Sequence, residues 1–143
     1  MEHFTNAEDR ALILDCIAKY GWGYDEGDFA MLADAFTENA TTGGIVTGTD
    51  MCWGPVTGRS QIVGTLSAIR EAQTDQRRHT IHTHRFEAQT PTTASLSAYI
   101  VVLASENGET RIVTAGRYSI DAIKEADQVW RMSRLDAVLD SPF

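Results

Sequence analysis

Basic side chains are scarce in this sequence. Its 143 residues hold 12 Lys and Arg against 20 Asp and Glu, a formal net charge of -8. Nucleic acids and anionic membranes both require a basic face, so neither is the expected partner. Cysteine is scarce too. Cys16 and Cys52 are far apart and in no metal-like spacing, which excludes a disulfide framework and leaves free thiols in a reducing cytoplasm as the expectation. No apolar run approaches the roughly 20 residues of a membrane span. The start, Met1 to Asp9, lacks the basic segment and apolar run of an export signal. Repeats, linkers and low-complexity tracts are absent as well. A cytoplasmic, soluble chain forming one domain over residues 1–143 is the expectation. At that length roughly 68% of the unfolded surface is buried, enough for a core with an internal cavity.

What the sequence does have is a concentration of histidine. Three of its four histidines fall in Arg77-Arg78-His79-Thr80-Ile81-His82-Thr83-His84-Arg85-Phe86-Glu87. Imidazole is the side chain best suited to moving protons near neutral pH. Strand alternation sends His79 to one face and His82 and His84 to the other. His82-x-His84 has the look of a metal half-site, but no third ligand stands near it, and a metal site is not expected.

Thr5 and Glu8 form a capping-box pattern. The helix it opens places Ile13, Ile17, Tyr20 and Tyr24 on one face and stops at Gly27. Asp28 caps a second helix, Phe29 to about Phe36. Thr41 to Met51 reads as an irregular strand or hairpin, and Met51 to Val56 as an apolar loop. A third helix follows Gly58, burying Ile62, Val63, Leu66 and Ile69. Strands follow at His79–Ala88, Ala94–Ser105, Arg111–Asp121 and Val129–Val138, with an Asn107-Gly108 hairpin signal and a loop over Ala122–Asp127. Three helices followed by an antiparallel meander make an α+β plan. The second strand is apolar on both faces, Leu96 to Val102 opposite Tyr99, Val101 and Leu103, so its outer stripe needs a cover.

That order of elements, with Tyr20-Gly21-Trp22-Gly23-Tyr24-Asp25-Glu26-Gly27-Asp28-Phe29, Leu32, Phe36, Gly58, His79, Gly116-Arg117-Tyr118 and Trp130-Arg131, resembles the SnoaL-like branch of the nuclear transport factor two-like superfamily over nearly the whole chain. The resemblance implies a cone-shaped barrel, three N-terminal helices packed into a curved antiparallel sheet around a pocket. It also implies a homodimer or higher homo-oligomer through the outer sheet face. Function is open at this level, because such folds host dehydratases, isomerases, cyclases, hydrolases and binding proteins.

Individual positions narrow the chemistry. Ketosteroid isomerase-like members place a base where Gly44 stands here and a second acid where Gly116 stands, and neither can carry a proton. Epoxide hydrolase-like members need an Asp-Arg-Asp set; Arg117 and Asp136 are candidates for two parts, but the central Asp is missing. Scytalone dehydratase-like and bile-acid dehydratase-like members use a helix-one Tyr, an Asp five residues on, and a His heading the long strand. Tyr20, Asp25 and His79 match all three and are the candidate catalytic residues. Loss of water β to a carbonyl needs a base for the α-proton, a donor for the enolate oxygen and an acid for the leaving hydroxyl. A carboxylate-held His can serve as base and then acid, and a buried phenol as donor. No metal or organic cofactor is required. Plainer roles stay open: Tyr20 as a core tyrosine and Asp25 as a turn residue.

Around these, Trp22, Tyr24, Met51 and Trp53 are candidate walls or a lid for a bulky hydrophobic substrate, and Thr114, Tyr118 and Asp136 further candidate contacts, with Arg117 pointing outward. The expected activity is a cofactor-independent lyase or isomerase. It would dehydrate a hydrophobic carbonyl compound of polyketide, steroid or terpenoid type. Ring closure by a cyclase and plain small-molecule binding are the alternatives. A pocket shared by Tyr20 and His79 favours the enzyme.

Overall fold

The computed structural model describes residues 4–143; the three before them, part of the Met1 to Asp9 start read above for an export signal, lie outside the described residues. Helix α1 spans Ala7–Glu26, capped by Asn6 rather than Thr5: the Asn6 side chain accepts the Asp9 N–H at 2.9 Å. Both residues suit a cap, and the Asn6–Asp9 pairing keeps Glu8 and Asp9 in the first turn, where the helix dipole favours them. Ile13, Ile17, Tyr20 and Tyr24 are all buried, as the 3.6-residue period predicts. Gly27 ends the helix in the left-handed region, returning its N–H to the Tyr24 carbonyl.

Helix α2, Phe29–Asp34, is capped by Asp28 and stops short of Phe36, which instead opens strand β1, Phe36–Val46. The expected apolar loop is mostly strand β2, Cys52–Thr57, antiparallel to β1 with Trp53 opposite Gly44. The apolar side chain explains the difference: the Trp53 ring lies over Gly44, where a Cβ would collide with it. Helix α3, Arg59–Ala72, follows Gly58 and buries only Ile62 fully. Then come β3 (Gln76–Gln89), β4 (Thr93–Glu106), β5 (Glu109–Lys124) and β6 (Trp130–Leu139). Strand β3 thus begins three residues before His79. Strand β5 runs through much of the expected 122–127 loop, because Ala122 and Ile123 pair with both neighbours.

The strands form one six-stranded sheet in the order β2-β1-β6-β5-β4-β3, antiparallel throughout except for the β1–β6 pair. It curves around the helices without closing, so the expected barrel is an open cone with edges at β2 and β3. One apolar cluster fills the concave face, with Ile13, Leu32, Phe36, Ile62, Ile100 and Met132 at its centre. The convex face leaves Tyr99 and Ile112 exposed. No helix among the described residues is long and apolar enough to cross a membrane.

Register shifts interrupt alternation in several strands, and two of them reposition candidate residues. In β3 one extra residue stands between His82 and Arg85, where Thr83 takes φ 55°, unusual for a β-branched residue. In β6 the register slips at Ser133, so Trp130 and Met132 are buried before it and Leu135, Ala137 and Leu139 after it. Each bulge exchanges the faces of the residues beyond it up to the next register shift, which in β3 follows between Phe86 and Ala88.

Candidate active site

Asp25 sits in the last turn of α1, beside the point where β3 crosses. Its Oδ2 accepts the His79 backbone N–H at 2.7 Å, and its Oδ1 lies 2.6 Å from the His79 ring Nδ1. The Asp25 carbonyl, one of the helix-end acceptors without an intrahelical partner, takes the Arg70 Nε at 2.9 Å and the Gln76 side-chain amide at 2.8 Å. With Nδ1 held by the carboxylate, Nε2 is the ring nitrogen left for another molecule. Tyr24 stacks on the ring at 4.9 Å and 25°, and Tyr20 meets it edge-on at 6.0 Å.

The Tyr20 hydroxyl is 3.3 Å from that of Tyr118 on β5. Burial pushes Tyr20 well above the ordinary phenol range, and the neighbouring Tyr118 adds to it. Burial likewise raises Tyr118, against the opposing effect of its bond to Tyr20. Tyr24 is pushed up to about 12, chiefly by burial. A phenol is already protonated near neutral pH, and the shifts make ionisation harder still. The three phenols share with His79 a cavity of about 290 Å³ whose other walls include Trp53, Thr114 and Leu135. That volume is at the lower end for small-molecule sites, about 300–1,000 Å³, so the space is tighter than a bulky substrate needs. Phe143 packs edge-on against Trp53 at 5.6 Å and forms part of the rim.

A SnoaL-like domain model matches residues 5–136. The chain belongs to the SnoaL-like family. The fold just described is the NTF2-like, cystatin-like one. Solved structures agree on the fold. An NTF2-like protein with a cystatin-like fold from Novosphingobium aromaticivorans superposes with TM-score 0.73 at 22% identity, over 92% of this chain and 82% of that one. A protein from the same organism, provisionally assigned as the β subunit of an aromatic-ring-hydroxylating dioxygenase, gives 0.78 at 22% over 93% and 90%. A Catenulispora acidiphila protein in complex with S-DNPA gives 0.77 at 22% over 94% and 95%. No curated protein sequence matches the chain.

Within this SnoaL-like domain the sequence-derived candidates divide. Tyr20, Tyr24, Trp53, His79, Thr114 and Tyr118 line the cavity. Asp25 stands behind His79 and faces a separate outer cleft of about 610 Å³ between α1 and β3. Trp22 is not a cavity wall: it lies about 200° around the helix from Tyr20 and Tyr24, is 65% exposed and borders the outer cleft. Met51 sits outside the cavity, 41% exposed in the turn before β2. Asp136 is turned to the convex face by the Ser133 bulge and bonds Arg134 Nη1 at 2.7 Å. The Thr83 bulge brings His84 to the helix side, into the outer cleft, while His82 stays outside against Tyr99. The His-x-His pair is therefore split between faces.

Gly44 and Gly116, where isomerase-like acids would stand, have no room for them. A Cβ at Gly44 would run into the Trp53 ring and one at Gly116 into the Val138 carbonyl. The sequence reading missed Gln73 and Arg77, which also line the cavity. Arg77 was accessible to it, since residues two apart on a strand share a face.

Proposed function

We propose that this SnoaL-like protein is a cofactor-independent dehydratase acting on a small, hydrophobic β-hydroxy carbonyl compound. The observation that carries this reading is the single cavity shared by the Asp25-held imidazole and the Tyr20–Tyr118 phenol pair. His79 Nε2 removes the α-proton, and the electron pair left on carbon moves into the carbonyl to give an enolate. The phenols donate hydrogen bonds to the enolate oxygen, whose charge develops in a water-poor space where such donors count most. The enolate then reforms the carbonyl, a C=C bond forms, and the β-hydroxyl leaves as water with the proton that His79 took. Asp25 is a positioning residue in this scheme: it fixes the ring and supports its positive charge.

The same enolate attacking a second carbonyl would close a ring, so cyclisation is the alternative product of the same groups. A binding protein without turnover is the second reading, and the 3.3 Å phenol contact favours it, since one of the two O–H groups is already spent on the other oxygen. The test is a panel of mono- and bicyclic β-hydroxy ketones incubated with the wild-type protein and with His79→Gln, read by mass spectrometry for loss of one water. Turnover by the wild type, falling about 10²–10⁴-fold in His79→Gln, is expected. Ligand-induced stabilisation without turnover across the panel would reject the enzyme in favour of the binder. The exposed apolar convex face, with Ile112 70% exposed, fits the expected homodimer, which light scattering in solution checks.

A further inference from the structure

Beyond the dehydrating groups, the cavity has a second polar end that the proposed chemistry does not use. Arg77 stands two residues before His79 on the same face of β3, and Gln73 is the C-cap of α3 just ahead of the strand. We propose that this end anchors a carboxylate, so that the substrate is a small hydrophobic hydroxy-carbonyl acid rather than a neutral compound. The inference rests on the reading that the cavity holds the substrate.

Three observations support it. Arg77 uses only its Nε within the protein, bonding Asp75 Oδ1 at 2.9 Å; among the described residues its terminal nitrogens have no acceptor. The Nε bond fixes the plane of the guanidinium and leaves its end-on pair of N–H donors, the arrangement that takes a carboxylate through two parallel bonds. Second, the charge is not cancelled locally. Asp75 is shared, its other oxygen lying 3.4 Å from Arg111 Nη2, so two guanidinium groups face one carboxylate. The Arg77 and Asp75 side chains are only 20% and 8% exposed, where water screens such a charge less than it would at the open surface. A positive cavity end inside a chain of net charge -8 is not what composition alone would produce. Third, the Gln73 Oε1 is buried with no hydrogen-bond partner. A buried amide end without a partner carries a desolvation cost, which a protonated or hydroxylated ligand group relieves, or which the amide relieves by turning its NH2 toward an anion.

The layout also limits the substrate. Around the cavity the order is Tyr20 and Tyr118, then His79 and Tyr24, then Arg77 and Gln73, following α1 and β3 in register. Residues two apart on a strand are about 6.6 Å apart. The acid group then lies roughly one ring width from the carbon that loses its proton, in keeping with the small cavity. If Arg77 served only to hold Asp75 at the start of β3, its terminal nitrogens would be indifferent to what enters.

The test compares 2-naphthoate with the isosteric neutral 2-naphthamide, titrated into the full chain by calorimetry. The acid is expected to bind the wild type about tenfold or more tightly than the amide, the usual size of a charge-assisted pair. Arg77→Met should erase that preference by weakening the acid far more than the amide, and Arg77→Lys should retain part of it. Equal binding of acid and amide by the wild type, or equal weakening of both by Arg77→Met, overturns the anchor and leaves the cavity reading intact. Binding of neither overturns both. A clear acid preference together with no turnover of β-hydroxy ketones that carry a carboxylate keeps the anchor and rejects the dehydratase. The wild-type comparison stands whether or not the variants fold.

Discussion

Two hollows lie on either side of the wall made by His79 and the Asp25 behind it. One, of about 610 Å³, is outside α1 and lined by both; the other, of about 290 Å³, is inside the sheet and lined by His79 alone of the two. The outer cleft is open, edged by the exposed Trp22, the Arg78–Glu26 ion pair and His84. The inner cavity holds the phenols, which burial pushes above their ordinary range, and the imidazole nitrogen not engaged by Asp25. Size and chemical equipment thus point to different places. Buried donors gain from low dielectric what surface groups lose to water and salt, so the smaller hollow is where a developing negative charge can be stabilised.

Removing the shared wall should have the largest effect. Asp25→Ala leaves the His79 amide and ring nitrogen without their acceptor and is expected to cost about 3 kcal/mol of folding stability, read by urea denaturation; an unchanged midpoint would mean that the wall is held by other contacts. Next, Tyr20→Phe and Tyr118→Phe should each lower kcat by about 10²–10³-fold with little change in KM. Equal, negligible losses would make the phenol pair a packing feature and dissolve the contrast between the two hollows.

A smaller effect concerns His84. Burial, and then the nearby His82, hold it below the ordinary imidazole value. The unfolded chain therefore binds the proton more readily between the ordinary value of about 6.5 and the lowered one. Stability conferred by neutral His84 is complete above that window and is lost as pH falls through it. An NMR titration of the ring should show the lowered value, and His84→Gln should flatten this part of the stability profile. Smallest of all, Trp22→Ala should change stability by no more than about 0.5 kcal/mol and leave turnover untouched. A large loss of activity there would move the site to the outer cleft.

The helix was easier to read than the strands. The stripe Ile13, Ile17, Tyr20, Tyr24 follows from a 3.6-residue period that nothing in α1 interrupts. The same period separates Trp22 from Tyr20 by about 200°, so its misplacement was avoidable. His84 and Asp136 were a different matter. Alternation counted from His79 sends His84 outward, and counted from Trp130 and Met132 sends Asp136 inward; both counts cross a bulge and invert. Thr83 and Ser133 are not glycines, and no local pattern marks either as the extra residue. The Asp25–His79 pairing bridges 54 positions and was reached through family resemblance, not through spacing.

By itself the sequence determined the order of the three helices and of the four strands after them, the buried face of α1, its Gly27 stop, the Asn107-Gly108 hairpin and the family, because these depend on near neighbours along the chain. Tertiary structure decided that the cone stays open, that two hollows flank His79, which of them receives Tyr118, and that Arg77 and Gln73 meet at one end. Those outcomes depend on strand register and on contacts between residues far apart in sequence, and a single extra residue in a strand is enough to reverse them.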